Sequence, residues 1–424
     1  MRRLLSSLAL CLALPASAQE FDTYKGHGGP IMGLVVTEAG TLASASFDNS
    51  VGVWTHEGPR WLERHDAAVT VIAEDASGTL VTGGDDFAVW RWSDPPRKIG
   101  EHKGKVTSLA ASPDGTVIAS GSWDGDIVLW PIGQGEPETL PYAGAGVNAV
   151  AYAPDGRALY AATSKGDLLR YDMAVRHPPR RVVRHGFGIN ELIVGKGWVA
   201  YGAVDGGTRV IDAESGDQIA DFTLDRRPIL AMAHHAATGQ LAIGDGEGHI
   251  MVVDTDDWRI ERDFRAMRSG PVWALAFSRD GTVIHAGGID DVIYAWPVAL
   301  LDTFDPAQGT RRSFLRDAGT MSNGERQFMR KCSICHSLKP GPSRKAGPTL
   351  HGIFGRRAGT LPGYRYSPAL DGSSIVWDDT SIDALFDQGP DHYIPGSKMP
   401  MQVIARPEDR ADLIAFLRSA ANEE

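Results

Sequence analysis

The sequence predicts an all-β propeller of seven blades followed by a smaller domain of a different kind. Three observations carry this: a repeat of about 40 residues that runs through the first part of the chain, one Cys-x-x-Cys-His after it, and a change of charge between the two. Residues 1–310 hold 26 Lys+Arg against 40 Asp+Glu, whereas residues 311–424 hold 16 against 13. The division that follows is a signal peptide over 1–18, a propeller over 19–296, a linker over 297–321 and the second domain over 322–424.

The N-terminus "MRRLLSSLALCLALPASAQ" has two arginines, an apolar run and Ala16-Ser17-Ala18, small residues suited to a signal peptidase. It is expected to be a secretory signal cleaved after Ala18, which directs the chain to the periplasm. Cys11 follows Leu10 and not the small residue of a lipoprotein site. No other apolar stretch approaches the roughly 20 residues of a membrane span. After cleavage Cys332 and Cys335 are the cysteines left, so the exported chain has no disulfide framework and their role is local.

The repeat shows in the short turn before one apolar strand of each unit, at Asp48, Asp86, Asp124, Lys165, Asp205, Glu247 and Asp290, spaced by 38, 38, 41, 40, 42 and 43 residues. That period is one four-stranded blade per unit. Hairpin turns such as Pro113-Asp114-Gly115 and Pro154-Asp155-Gly156 precede strands of small residues. A lone blade cannot bury both faces, so seven stack around an axis. The third unit, with His102, Ser120, Asp124 and Trp130, resembles a WD repeat. The resemblance implies a buried hydrogen-bonded chain through those four, and through His27, Asp48 and Trp54 in the first unit. The segment Phe21 to Tyr24 is expected to add the outer strand of the last blade, which closes the ring and removes the exposed edge.

Residues just before the turn positions should share one rim: Phe47, Asp85, Trp123, Ser164, Val204, Gly246 and Ile289. Phe47, Trp123, Val204 and Ile289 are apolar and make this rim a candidate protein-docking face. The acidic balance gives no support for nucleic-acid binding.

Cys332-Ser333-Ile334-Cys335-His336 has the spacing of covalent haem attachment, because two thiols three apart reach two vinyl groups and the next residue offers imidazole to iron. Zinc and thiol-redox chemistry are the alternatives. Zinc needs more ligands than these, and a thiol-redox site would want a thioredoxin-like setting.

Ser322-x-x-Glu325 opens a helix with Gly324 and Phe328, and "GPTLHGIFGR", "YIPGSKMPM" and "PEDRADLIAFLRS" follow. In these motifs residues 322 to about 420 resemble class I cytochrome c of the mitochondrial kind. The resemblance implies an all-α domain with one covalent haem c. In it Pro348 accepts the ring proton of His336, Met399 supplies the sixth ligand, and Gly324 and Phe328 pack against Leu413 and Phe416. Arg356, Tyr366, Trp377 and Ser397 fall where the family bonds the haem propionates. Rival ligands by chemistry are Met401, His392 and Lys398, and also His351, which is structural in the family. Two departures remove polar groups near the iron: Leu385 and Phe386 stand where a tyrosine is common, and Leu370 where the mitochondrial pattern has asparagine.

From Arg326 to Leu370 there are nine cations and no Asp or Glu. Such a rim predicts an acidic redox partner, and the chain's own propeller is among the candidates, residues 19–310 holding 24 Lys+Arg against 40 Asp+Glu. The function expected is that of a periplasmic electron carrier, more than a catalyst, with the propeller as docking scaffold. The alternatives are a propeller-based haem-linked oxidoreductase, quinoprotein- or nitrite-reductase-like, and a redox- or haem-dependent sensor.

Overall fold

The computed structural model describes residues 22–175, 177–225, 228–267, 269–301 and 318–421. The signal-peptide and cleavage expectations, Phe21, and most of the expected linker lie outside them. Seven four-stranded antiparallel sheets follow one another along the chain. Blade 1 is Ile31–Val36, Leu42–Ser46, Val51–Thr55 and Gly58–Leu62 in that order from inside to outside. In the seventh sheet Thr23–Lys25 pairs antiparallel with Val292–Pro297, so the N-terminal strand completes the last blade. The pairing covers the outer edge of Val292–Pro297, which would otherwise be free to template aggregation.

Every innermost strand carries a register shift after its first residue. A bulge frees the extra residue to point away from its own ladder. Four of them use this freedom to reach the next blade: Thr70 donates to Val106 O at 2.6 Å, Thr107 to Val147 O at 2.6 Å, Asn148 to Ile189 O at 2.9 Å and Asn190 to Ile229 O at 2.9 Å. Apolar clusters fill the spaces between neighbouring blades, as where Ala43, Ala45 and Val51 of blade 1 meet Val69 and Ile72 of blade 2.

The WD-type chain forms where it was expected. His27 meets Asp48 at 2.9 Å and Ser44 at 2.8 Å, and Trp54 donates to Ser44 at 2.8 Å. His102 meets Asp124 at 3.2 Å and Ser120 at 2.7 Å, with Trp130 donating to Ser120 at 2.7 Å. Blade 2 repeats it with His65, Asp86, Thr82 and Trp92, a set hidden in the sequence because Thr82 replaces the serine. These pairs are structural, because the same constellation recurs in successive blades.

After a short 3-10 turn at Val298–Leu300, description resumes at Ala318 with a helical domain of α1 (Asn323–Lys331), α2 (Asp379–Gln388), α3 (Pro390–Tyr393) and α4 (Pro407–Ala420). Ser322 Oγ accepts from the Glu325 N–H and starts α1. A full capping box opens α2, through Asp378 and Ser381. Pro407 sits in the first turn of α4, where its missing N–H costs nothing. Gly324 lets α1 approach α4 closely: a Cβ there would lie 2.0 Å from Asp412 O. Phe328 and Phe416 pack at 5.6 Å between ring centres, beside fully buried Leu413.

Candidate functional site

The Cys-x-x-Cys-His segment begins at the C-cap of α1, where Cys335 N–H and His336 N–H both donate to Cys332 O. This tight turn sets both cysteines and His336 around one cavity of about 520 Å³. Cys332 is buried and Cys335 partly so, and the two are not joined in a disulfide. Burial pushes the Cys332 thiol up to about 12 and raises Cys335 as well. A thiol-redox pair needs the opposite, a depressed pKa.

His336 is oriented by its Nδ1, which lies 2.7 Å from Pro348 O. With Nδ1 as donor, Nε2 keeps its lone pair, the tautomer a metal-binding imidazole needs. Burial lowers the pKa of His336, with the Pro348 bond opposing. Gly347 lies against the ring, and its N–H is held by Cys335 O at 2.7 Å.

Met399, Pro348, Arg356, Tyr366, Trp377 and Ser397 all line the same cavity. Ser397 Oγ accepts from the Met399 N–H at 3.1 Å and shapes the loop. Arg356 donates to Thr349 O at 2.8 Å and His351 O at 3.1 Å, and burial lowers its pKa. The rest of the wall is apolar, with Leu350, Ile353, Leu370, Ile382, Leu385 and Phe386. Of the rival ligands, Lys398 borders the cavity, whereas Met401, His392 and His351 are not among its lining residues. The two thiols, an imidazole with a free nitrogen, a thioether and apolar walls are a donor set that fits a covalent haem.

Sequence reasoning missed Tyr364, whose hydroxyl donates to Ala346 O at 2.5 Å and whose pKa burial pushes up to about 12. It also missed that the propeller contributes wall: Phe47, Asn49, Asp66, Ala67, Ala68, Asp85 and Asp86 border the cavity. On the rim, Trp123 and Val204 are exposed, at 56% and 47%, while Phe47 and Ile289 are half-buried. Tyr142 and Phe187, from loops between blades, lie against turn glycines Gly125 and Gly166 of that rim and are more exposed still. They sit off the repeat position, so the repeat did not point to them.

The fold and the site together define a seven-bladed β-propeller joined to a helical haem-attaching domain. The WD domain, G-beta repeat family matches residues 19–55, 94–131 and 259–297, and the cytochrome c family matches residues 321–421. The second domain is similar to cytochrome c of Sesamum indicum, 44% identical over 103 residues, which are 24% of this chain and 91% of that protein. Cytochrome c of Arabidopsis thaliana is 44% identical over 100 residues, 23% of this chain and 88% of its own. That of Cochliobolus lunatus is 42% identical over 102 residues, 24% and 93%. The chain belongs to the cytochrome c family through its C-terminal domain, preceded by a WD-repeat propeller. Haem-based electron transfer and covalent haem c follow from that domain, and Cys332 and Cys335 are consistent with the attachment.

Proposed function

We propose that the chain is an exported, periplasmic one-electron carrier with a single haem c held by His336 and Met399, and that its propeller is the docking scaffold for a redox partner. The observation that carries the electron-carrier reading is the convergence of Cys332, Cys335, His336 and Met399, from two distant stretches of chain, on one apolar cavity. Haem c supplies a one-electron couple when bound.

The chain's own residues do the rest. Pro348 O fixes the tautomer and rotation of His336. Met399 would hold the iron through a soft thioether, which favours the reduced metal and would leave a substrate no position to bind. Leu350, Ile353, Leu385 and Phe386 keep water out, so little solvent reorganises when charge changes. Arg356 brings a fixed positive charge into the wall, suited to propionate. The nine cations between Arg326 and Leu370 suit an acidic partner, steering its approach without tight binding. On the propeller, Trp123 and Val204, extended by Tyr142 and Phe187, form the apolar docking patch, with Phe47 and Ile289 less accessible.

The test is the absorption spectrum of the reduced protein with and without carbon monoxide, for the wild type and Met399→Ala. An unchanged wild-type spectrum and a carbonyl shift in the variant are expected. A wild-type protein that takes up carbon monoxide readily overturns Met399 as a firm ligand and moves the reading to sensing or catalysis.

A further inference from the structure

Four cations around the haem cavity, Arg344, Lys345, Arg365 and Lys398, reach the propeller. Arg344 Nη1 lies 2.5 Å from Glu63 Oε1, and its guanidinium covers the Trp61 ring at 4.1 Å. Arg365 donates to His65 O at 2.8 Å and pairs with Asp66 at 2.8 Å. Lys398, next to Met399, pairs with the same Asp66 oxygen at 3.0 Å. Lys345 reaches Gly28 O at 3.1 Å while also holding Ser333 O and Ile334 O inside the Cys-x-x-Cys-His turn.

The surfaces fit as well as attract. A Cβ on Gly28 would fall 1.3 Å from Arg344 O, so the basic loop rests where a side chain would otherwise be. Around this contact Phe47, Asn49, Ala67, Ala68 and Asp85 form part of the cavity wall. Two blades of the propeller thus cover one side of the site that the second domain builds.

We infer that the propeller's first two blades are the intramolecular docking partner of the cytochrome domain: Asp66 and Glu63 latch its basic rim, cover that side of the haem cavity, and compete with external acidic partners. The latch residues are partly exposed, with Asp66 at 57% and Glu63 at 62%. Exposed ion pairs are individually weak and are screened by salt over about 8 Å at physiological ionic strength. The docked form is therefore built to open, and the propeller sets which partners reach the haem. Asp66 binds cations from two separate loops, one before Tyr366 and one beside Met399, so a single carboxylate joins both to the blade.

This inference rests on the electron-carrier reading for its consequence but not for its geometry, and the two fail separately. The experiment uses the full-length haem-loaded chain as wild type, Gly28→Ala and Asp66→Ala. None of these changes touches the expected ligands. Gly28→Ala keeps every charge and blocks the approach sterically, whereas Asp66→Ala removes the latch and leaves the shape. Small-angle scattering reads the domain arrangement, and the oxidation of reduced haem by ferricyanide, a small anion drawn to an uncovered basic rim, reads access. Both variants are expected to show a larger radius of gyration at low salt. Oxidation should be faster by about tenfold, the low end of electrostatic steering, and the difference should shrink as salt opens the wild type. Scattering and rates that match the wild type in both variants overturn the docking, whatever the carbon monoxide experiment returns. A variant that expands without a change in rate overturns the claim that the propeller restricts access.

Discussion

Gly347→Ala is the sharpest single probe of how the chain holds His336. A Cβ on residue 347 would lie 2.3 Å from His336 Cε1, 2.6 Å from Nδ1 and 2.8 Å from Nε2, when ordinary contact begins at 3.4 Å. Neither party can simply withdraw. The Gly347 N–H is bonded to Cys335 O at 2.7 Å, and the imidazole is bonded through Nδ1 to Pro348 O at 2.7 Å. The ring must move by about an ångström or the Cys335–Gly347 bond must break. Overpacking of this kind costs roughly 1–3 kcal/mol. For a domain of this size that lowers the melting temperature on the order of 5–20 °C. The assay is thermal unfolding followed at the haem absorbance, with the reduced spectrum and carbon monoxide binding recorded beside it. Gly133→Ala, where nothing lies within 4 Å, is the control for substituting glycine. A Gly347→Ala protein with wild-type melting and spectrum would refute the reasoning, because it would mean that the ring is not packed against the backbone at 347.

Two further outcomes test the propeller. Ser120→Ala removes the hydroxyl that joins His102 and Trp130, leaving buried polar groups without a partner at a cost of about 1–3 kcal/mol; far-ultraviolet circular dichroism should show a lower melting temperature, and an unchanged one would make the chain ornamental. Acid should destabilise the blades in two stages. Burial lowers the pKa of His102 from 6.5 despite the opposing pull of Asp124, so its contribution is present above 6.5 and is lost as pH falls through its folded value. For Asp48 burial alone would raise the pKa, but the bonds from His27, Ser50 and Gly28 win and hold it below 3.8; Asp86 is held low likewise by His65 and two backbone N–H groups. Their contribution is present above 3.8 and fades below it. Melting temperatures that stay level from pH 7 down to 3 would contradict both assignments.

Much of this protein is legible because its signals are local. A turn residue every 38 to 43 positions states the blade count, since each unit repeats the same short-range hairpins and the same need for a neighbour. Cys332, Cys335 and His336 lie within five positions, so one turn at the end of α1 brings them together, and a motif is enough to find them. The rim was only half legible. Trp123 and Val204 stand on the repeat position, whereas Tyr142 and Phe187 come from loops whose path the repeat does not dictate.

The two folds, the haem-attaching motif and the sign of charge on each domain are readable from the amino acids alone, because these depend on spacing and composition along short stretches. So is the presence of a basic surface and an acidic one in the same chain. That Asp66 stands against Arg365 and Lys398, and that Gly28 receives the backbone of Arg344, emerges from the folded chain, in contacts that join residues about 300 positions apart. Long-range pairing of this kind depends on the shape of two finished surfaces. Charge attracts without direction, so composition can announce the attraction, but the missing side chain at Gly28 and the geometry of one carboxylate select where it acts.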